Sequence, residues 1–133
     1  MELNNQDLYC QVLGSIMKEP ILLHNVPSKI TLEDFHSENK ICRAIFFAIN
    51  GIANNEIREI DCNMIVAYLD QYPTIKKAFG RNGPEVVDIC LEKGDPESFQ
   101  VYYAQLKKTS LLRDLLNHGY NVSLYDFTSC VPG

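Results

Sequence analysis

Near its N-terminus this chain offers no apolar run longer than Ile21 to Leu23, against the ~20 residues that a bilayer-spanning helix needs. The first residues also lack the basic segment followed by an apolar stretch that marks a secretory leader. No CxxC pair occurs. The five cysteines (Cys10, Cys42, Cys62, Cys90 and Cys130) are odd in number and spread without a short repeat, which argues against a disulfide framework. Cys10, Cys42 and Cys90 sit among apolar neighbours, the setting of a buried reduced thiol. These absences together give a cytoplasmic protein in a reducing compartment as the expectation. Basic charge is scarce too: 12 Lys and Arg stand against 17 Asp and Glu, a formal charge of −5. That disfavours a general nucleic-acid coat and leaves room for a local basic patch. Strand pairs, low-complexity runs and internal repeats are likewise missing from the pattern.

What is present is helical periodicity. In 133 residues, 46% of them hydrophobic, there is material for one real core. Leu8, Tyr9, Val12, Leu13, Ile16 and Met17 recur at three and four and predict a helix over Gln6 to Lys18, ended by Pro20. Gly14 inside that stripe either allows a close helix approach or weakens the helix. Ile21 to Ile30 reads as a turn-rich connection. Thr31 to Phe35 follows as a short turn in which Thr31 caps and Asp34 returns the bond. A longer helix is predicted from Ser37 to Ala53, with Ile41, Cys42, Ile45, Phe46, Ile49 and Ile52 buried. Asp61 is placed to cap a helix from Cys62 to Gln71. Pro73 introduces a short helix carrying Ile75 and Phe79, and Gly80 to Pro84 reads as a loop. Pro84 suits the first position of the next helix, which Gly94 stops. Asp95-Pro96 repeats that grammar before a long helix reaching His118, with Gly119 as terminator. Tyr120 to Gly133 is expected to be irregular. The fold class is therefore all-α: a compact multi-helix head over 1–94, a long extending helix over 95–118 and a short tail over 119–133, together one continuous domain.

Chemistry is sparse. The Gly80-Arg81-Asn82-Gly83 segment lacks the Lys-Ser/Thr and the strand context of a phosphate loop. His24, His36 and His118 have no companion at ligand spacing. No cysteine has a local histidine to activate it. The acidic pairs Glu33/Asp34 and Glu59/Asp61 are explained by capping and surface charge. Lys76-Lys77 and Lys107-Lys108 read first as solvated faces, although Lys107, Lys108 and Arg113 together make a candidate interaction patch. No catalytic, cofactor-binding or metal-ligating residue is assigned.

Four segments, in order, resemble one family. Asp7-Leu8-Tyr9-Cys10-Gln11-Val12-Leu13-Gly14-Ser15-Ile16-Met17, Leu32-Glu33-Asp34-Phe35-His36, Arg43-Ala44-Ile45-Phe46-Phe47-Ala48-Ile49 and Ile60-Asp61-Cys62-Asn63-Met64-Ile65-Val66-Ala67-Tyr68-Leu69 are similar to the opening helices of the N-terminal domain of bacterial and phage replicative helicases of the DnaB type. Tyr102-Tyr103-Ala104-Gln105-Leu106-Lys107-Lys108 with Leu112 and Leu115 resembles the long helix that leaves the globular head, the first arm of a subunit-pairing hairpin. The second arm is missing or very short after Gly119, the segment from Gly80 to Gly94 departs from the family pattern, and the RecA-like motor is absent. The resemblance implies a noncatalytic assembly and docking domain, read as part of a longer helicase in preference to a standalone adaptor that modulates a helicase. It implies other helicase subunits and a primase or helicase loader as partners, with DNA met through the whole assembly. ATP and Mg are implied only for the motor of a full-length, ATP-dependent parent. For self-association it points to Tyr102, Tyr103, Leu106, Leu112 and Leu116, and for a partner-facing patch to Lys107, Lys108 and Arg113.

Overall fold

The computed structural model describes residues 5–118, and every regular element among them is helical. The predictions made for 119–133, including the irregular tail and Cys130, lie outside the described residues. The order is α1 (Gln6–Lys18), a 3-10 turn (Pro20–His24), a second (Leu32–Asp34), α2 (Lys40–Ile52), α3 (Cys62–Leu69), α4 (Pro73–Phe79), α5 (Gly83–Lys93), a third 3-10 turn (Pro96–Ser98) and α6 (Phe99–Asn117). The all-helical head with a long last helix is the architecture the sequence predicts.

Helix α1 is the central post. Asn5 Oδ1 accepts the Leu8 amide at 3.0 Å and starts it, satisfying one of the donors a helix N-terminus leaves open. Its buried residues run without a break from Leu8 to Tyr9 and Cys10 and again from Val12 through Met17. α2, α5 and α6 all pack against it. Gly14 settles the alternative left by the sequence: a Cβ there would meet the Cys90 carbonyl oxygen at 1.7 Å, and a Cβ on Gly94 would meet the Gly14 carbonyl carbon at 2.3 Å. The two glycines let α1 and the end of α5 touch backbone to backbone. Polar bonds seal this corner. Ser15 Oγ accepts the Asp95 amide at 2.9 Å, and Lys18 Nζ donates to the Gly94 carbonyl at 2.7 Å.

Three helix boundaries differ from the predicted ones, each for a local reason. α2 begins at Lys40, after the residues preceding it have been drawn into other bonds. The His36 amide donates to Tyr9 Oη at 3.0 Å, His36 Nδ1 accepts the Glu38 amide, and Asn39 Oδ1 takes the Cys42 amide as the true cap. α3 does begin after Asp61, whose Oδ1 accepts the Met64 amide at 2.9 Å. It stops at Leu69, where the Gln71 and Tyr72 amides turn back onto the Tyr68 and Leu69 carbonyls at 3.2 and 2.9 Å and Tyr72 leaves the helical region before Pro73, as a residue preceding proline tends to. α5 takes in Gly83 as well as Pro84; a side chain at 83 would strike the Phe79 ring.

Thr31 and Asp34 form the predicted capping box, with Asp34 Oδ2 accepting the Thr31 amide at 2.8 Å. This turn delivers Phe35 to the core between Tyr9 and Phe46, with ring centroids 5.1 and 5.2 Å away. Aromatic pairs at such separations contribute about 0.5–1.5 kcal/mol beyond the area they bury.

Candidate assembly and docking surface

Asp95 opens the last unit: its Oδ1 accepts the Glu97 amide at 3.2 Å, and Pro96 follows in the first turn. The side chains of α6 then divide into two stripes. One follows Phe99, Tyr103 and Leu106, all buried members of the head's core. With 3.6 residues per turn, the opposite stripe runs through Val101, Ala104, Lys108, Leu111 and Leu115. On this side Val101 is 58% exposed, Leu111 42%, and the neighbouring Leu116 42%. Exposed apolar side chains on a helix are candidates for contact with a partner.

The contact between α6 and the head changes character along the helix. It begins apolar at Phe99, and from Tyr103 onward polar bonds join the apolar contact that Leu106 continues. Tyr103 Oη accepts the Ser28 amide at 3.0 Å and donates to the Ser28 carbonyl at 2.6 Å. Lys107 Nζ donates to the Lys29 carbonyl at 2.6 Å and to Asp34 Oδ2 at 2.8 Å. Arg113 donates to the Glu33 carbonyl at 2.6 Å. Asp34 is buried, so its charge needs this cation and the Thr31 amide together; an unpaired carboxylate there would be strongly disfavoured. Beside these bonds lies a cleft of about 450 Å³, lined by Thr31, Asp34, Lys107, Ser110, Leu111 and Arg113 among others, so Leu111 borders both the cleft and the outer stripe.

The self-association candidates therefore separate. Tyr103 and Leu106 face the core of their own head, and Leu112 is also fully buried. Tyr102 is half-buried and Leu116 is exposed. Of the patch candidates, Lys107 and Arg113 fasten α6 to the segment 29–34, while Lys108 is half-buried on the outer stripe. Sequence reasoning missed Val101 and Leu111. Their signal was available as a second repeat of four and three residues along α6, out of phase with the stripe that closes the core.

The remaining polar candidates stay dispersed. Asp61 caps α3; Glu33 pairs with Arg43 at 3.4 Å; Lys76 pairs with Asp70. His36 and His118 each serve a local backbone bond. Among the described residues, no group of three or more His, Cys, Asp or Glu side chains is arranged to hold a metal ion, and no helix is long and apolar enough to cross a membrane.

Residues 1–107 match the family model described as the DnaB-like helicase N-terminal domain. Among curated proteins, the chain is 34% identical over 127 residues to the SPbeta prophage-derived uncharacterized protein YorI of Bacillus subtilis (strain 168). The match covers 93% of this chain and 25% of that relative, so the chain spans about a quarter of the length of the curated protein it matches. No solved structure matches the chain.

Proposed function

The chain belongs to the family of DnaB-like helicase N-terminal domains, and on that premise we propose that it is a noncatalytic assembly and docking unit of a replicative DNA helicase working in the cytoplasm. The head supplies a rigid base, and α6 presents an apolar stripe to a second copy of the chain. A motor elsewhere in the parent protein hydrolyses ATP with Mg and carries most of the contacts to DNA. That division suits a unit with a formal charge of −5, since phosphate contacts need positive charge. The relative's length beyond the matched quarter leaves room for such a motor.

The observation that supports this reading is that Val101, Leu111 and Leu116 stand exposed on α6 while Phe99, Tyr103 and Leu106 of the same helix join the core. Pairing copies through these three, with Tyr102 at the margin, buries what solvent now meets. Primase or loader docking is assigned to the polar end of α6, where Lys107 and Arg113 border the cleft; Lys108 stands on the outer stripe, apart from it.

Sedimentation with circular dichroism tests the assignment. Leu111→Asp and Leu116→Asp should each weaken self-association about tenfold or more, as loss of an interface anchor does, with helix content retained. Arg113→Glu should weaken primase or loader binding and leave the oligomer unchanged. Normal association of both leucine variants would sink the assembly surface, and unchanged primase and loader binding would sink the docking patch.

A further inference from the structure

The formal charge of −5 is not spread evenly along the chain. All 17 acidic residues fall outside α2, α3 and α4, whereas Lys40, Arg43, Lys76 and Lys77 lie within them. These three helices pack on one another, so the segregation in sequence becomes a basic corner on an acidic head. Three aromatic rings meet at that corner. Phe47 of α2 and Tyr72, just ahead of α4, have centroids 5.0 Å apart at 81°. Tyr68 of α3 lies 5.2 Å from Tyr72 and 5.8 Å from Phe47. Phe47 and Tyr68 are half-buried and hold α2 against α3, while Tyr72 stands outermost and is 37% exposed.

The cations frame these rings. Lys40, Arg43 and Phe47 follow one another at three and four residues on one face of α2. The Lys76 amide donates to the Tyr72 carbonyl at 2.9 Å, which puts Lys76 one turn beyond that ring. Acidic side chains touch two of the four cations: Asp70 pairs with Lys76, and Glu33 with Arg43. Both are surface pairs, with Glu33 87% exposed and Asp70 54%, and such pairs contribute little. Lys40 and Lys77 are exposed.

We propose that Phe47, Tyr68 and Tyr72, framed by Lys40, Lys76 and Lys77, form a binding surface for single-stranded nucleic acid. A base stacks on the outer tyrosine, the two rings behind it keep that tyrosine in place, and the lysines meet the flanking phosphates. Any base offers a flat face to an aromatic side chain, so the surface takes single strands with little regard to sequence. A duplex keeps its bases stacked on one another and satisfies the lysines alone. A purely acidic peptide matches the charge and leaves the rings unused. The assembly surface on α6 has no part in this inference, which stands or falls separately.

The test measures fluorescence anisotropy of labelled oligothymidylate and oligouridylate, each about 15 nucleotides long, with the full chain at low salt. Binding of either strand supports the surface, and the tighter one identifies its source as DNA or RNA. The logarithm of affinity should fall with that of salt with a slope between about −1.4 and −2.8, as about two to four phosphate contacts on a single strand require. Tyr72→Ala should weaken binding about fivefold or more, Tyr72→Phe should retain it, and Lys77→Gln should reduce the slope by about 0.7. Circular dichroism checks that these exposed-site variants stay folded. Photo-crosslinking through 5-iodouracil should label Phe47, Tyr68 or Tyr72. Absence of binding, unchanged affinity of Tyr72→Ala, equal binding of a duplex of the same length, or crosslinks confined to α6 would each overturn the proposal. Displacement of the strand by an equal concentration of oligoglutamate would overturn it in favour of an acidic protein partner.

Discussion

At the scale of single residues, the tightest constraint is the hydrogen at Gly14. Alanine there drives a methyl group into the Cys90 carbonyl at 1.7 Å, and both partners are helix backbone with little freedom to yield. Gly14→Ala should destabilise the head by about 3 kcal/mol, the upper part of the usual overpacking range, read as a lower urea midpoint. Tyr68 offers a second residue-level test. Its ionisation is raised above the ordinary phenol value of 10, first by the hydrogen bond with Tyr72 and then by burial. A raised value means that folding favours the neutral phenol. The contribution is therefore whole below pH 10 and fades as pH rises through the higher folded value. Tyr72→Phe should bring the Tyr68 transition back down, measured by NMR of ring-labelled tyrosine against pH.

At the scale of elements, α6 is held by dissimilar means at its two ends, and the polar end can be tested separately. Asp34→Asn and Lys107→Met each break a pair whose carboxylate is 6% exposed. Lys107→Met leaves that charge buried with only the Thr31 amide, and a loss of about 3 kcal/mol is expected. The double variant should lose less than the sum of the singles, with a coupling of about 1–2 kcal/mol in a thermodynamic cycle. Strict additivity would show that Lys107 and Asp34 do not act on each other. The same contrast explains what could be read from the chain beforehand. α1 was legible from Gln6 to Lys18 because periodicity and Pro20 agree on it. Asp61, Asp95, Pro84 and Gly94 announced themselves through the chemistry of helix ends. The start of α2 did not, because Asn39 becomes its cap only after Tyr9, far away in sequence, has taken the His36 amide. Nor could the chain tell which leucines of α6 face inward. Both stripes are apolar, and the choice depends on Ser28, Lys29 and Asp34 waiting on one side.

At the scale of the whole molecule, burial grades outward from α1. Its amides should exchange with deuterium only through global unfolding, while those of α6 beyond Lys107 should exchange sooner through local release; hydrogen-exchange mass spectrometry resolves the two. Equal protection along α6 would mean that its polar end is as firmly held as its apolar start. The close approach of α1 and α5 also belongs to this scale. Gly14 and Gly94 allow it only as a pair, each leaving room for the other's backbone. No spacing along a single helix reports such a pairing.

The central position of α1 carries a consequence in time. Ser15 and Lys18 find their partners in Asp95 and Gly94, 80 and 76 residues later. During synthesis at about 5–20 residues per second, α1 emerges roughly 4–16 s before the segment that covers it. Throughout that interval the apolar face that α5 and α6 will cover is open to the ribosome surface, to chaperones and to neighbouring nascent chains. The helix that organises the finished head is thus the one the cell must shelter longest while the head is being made.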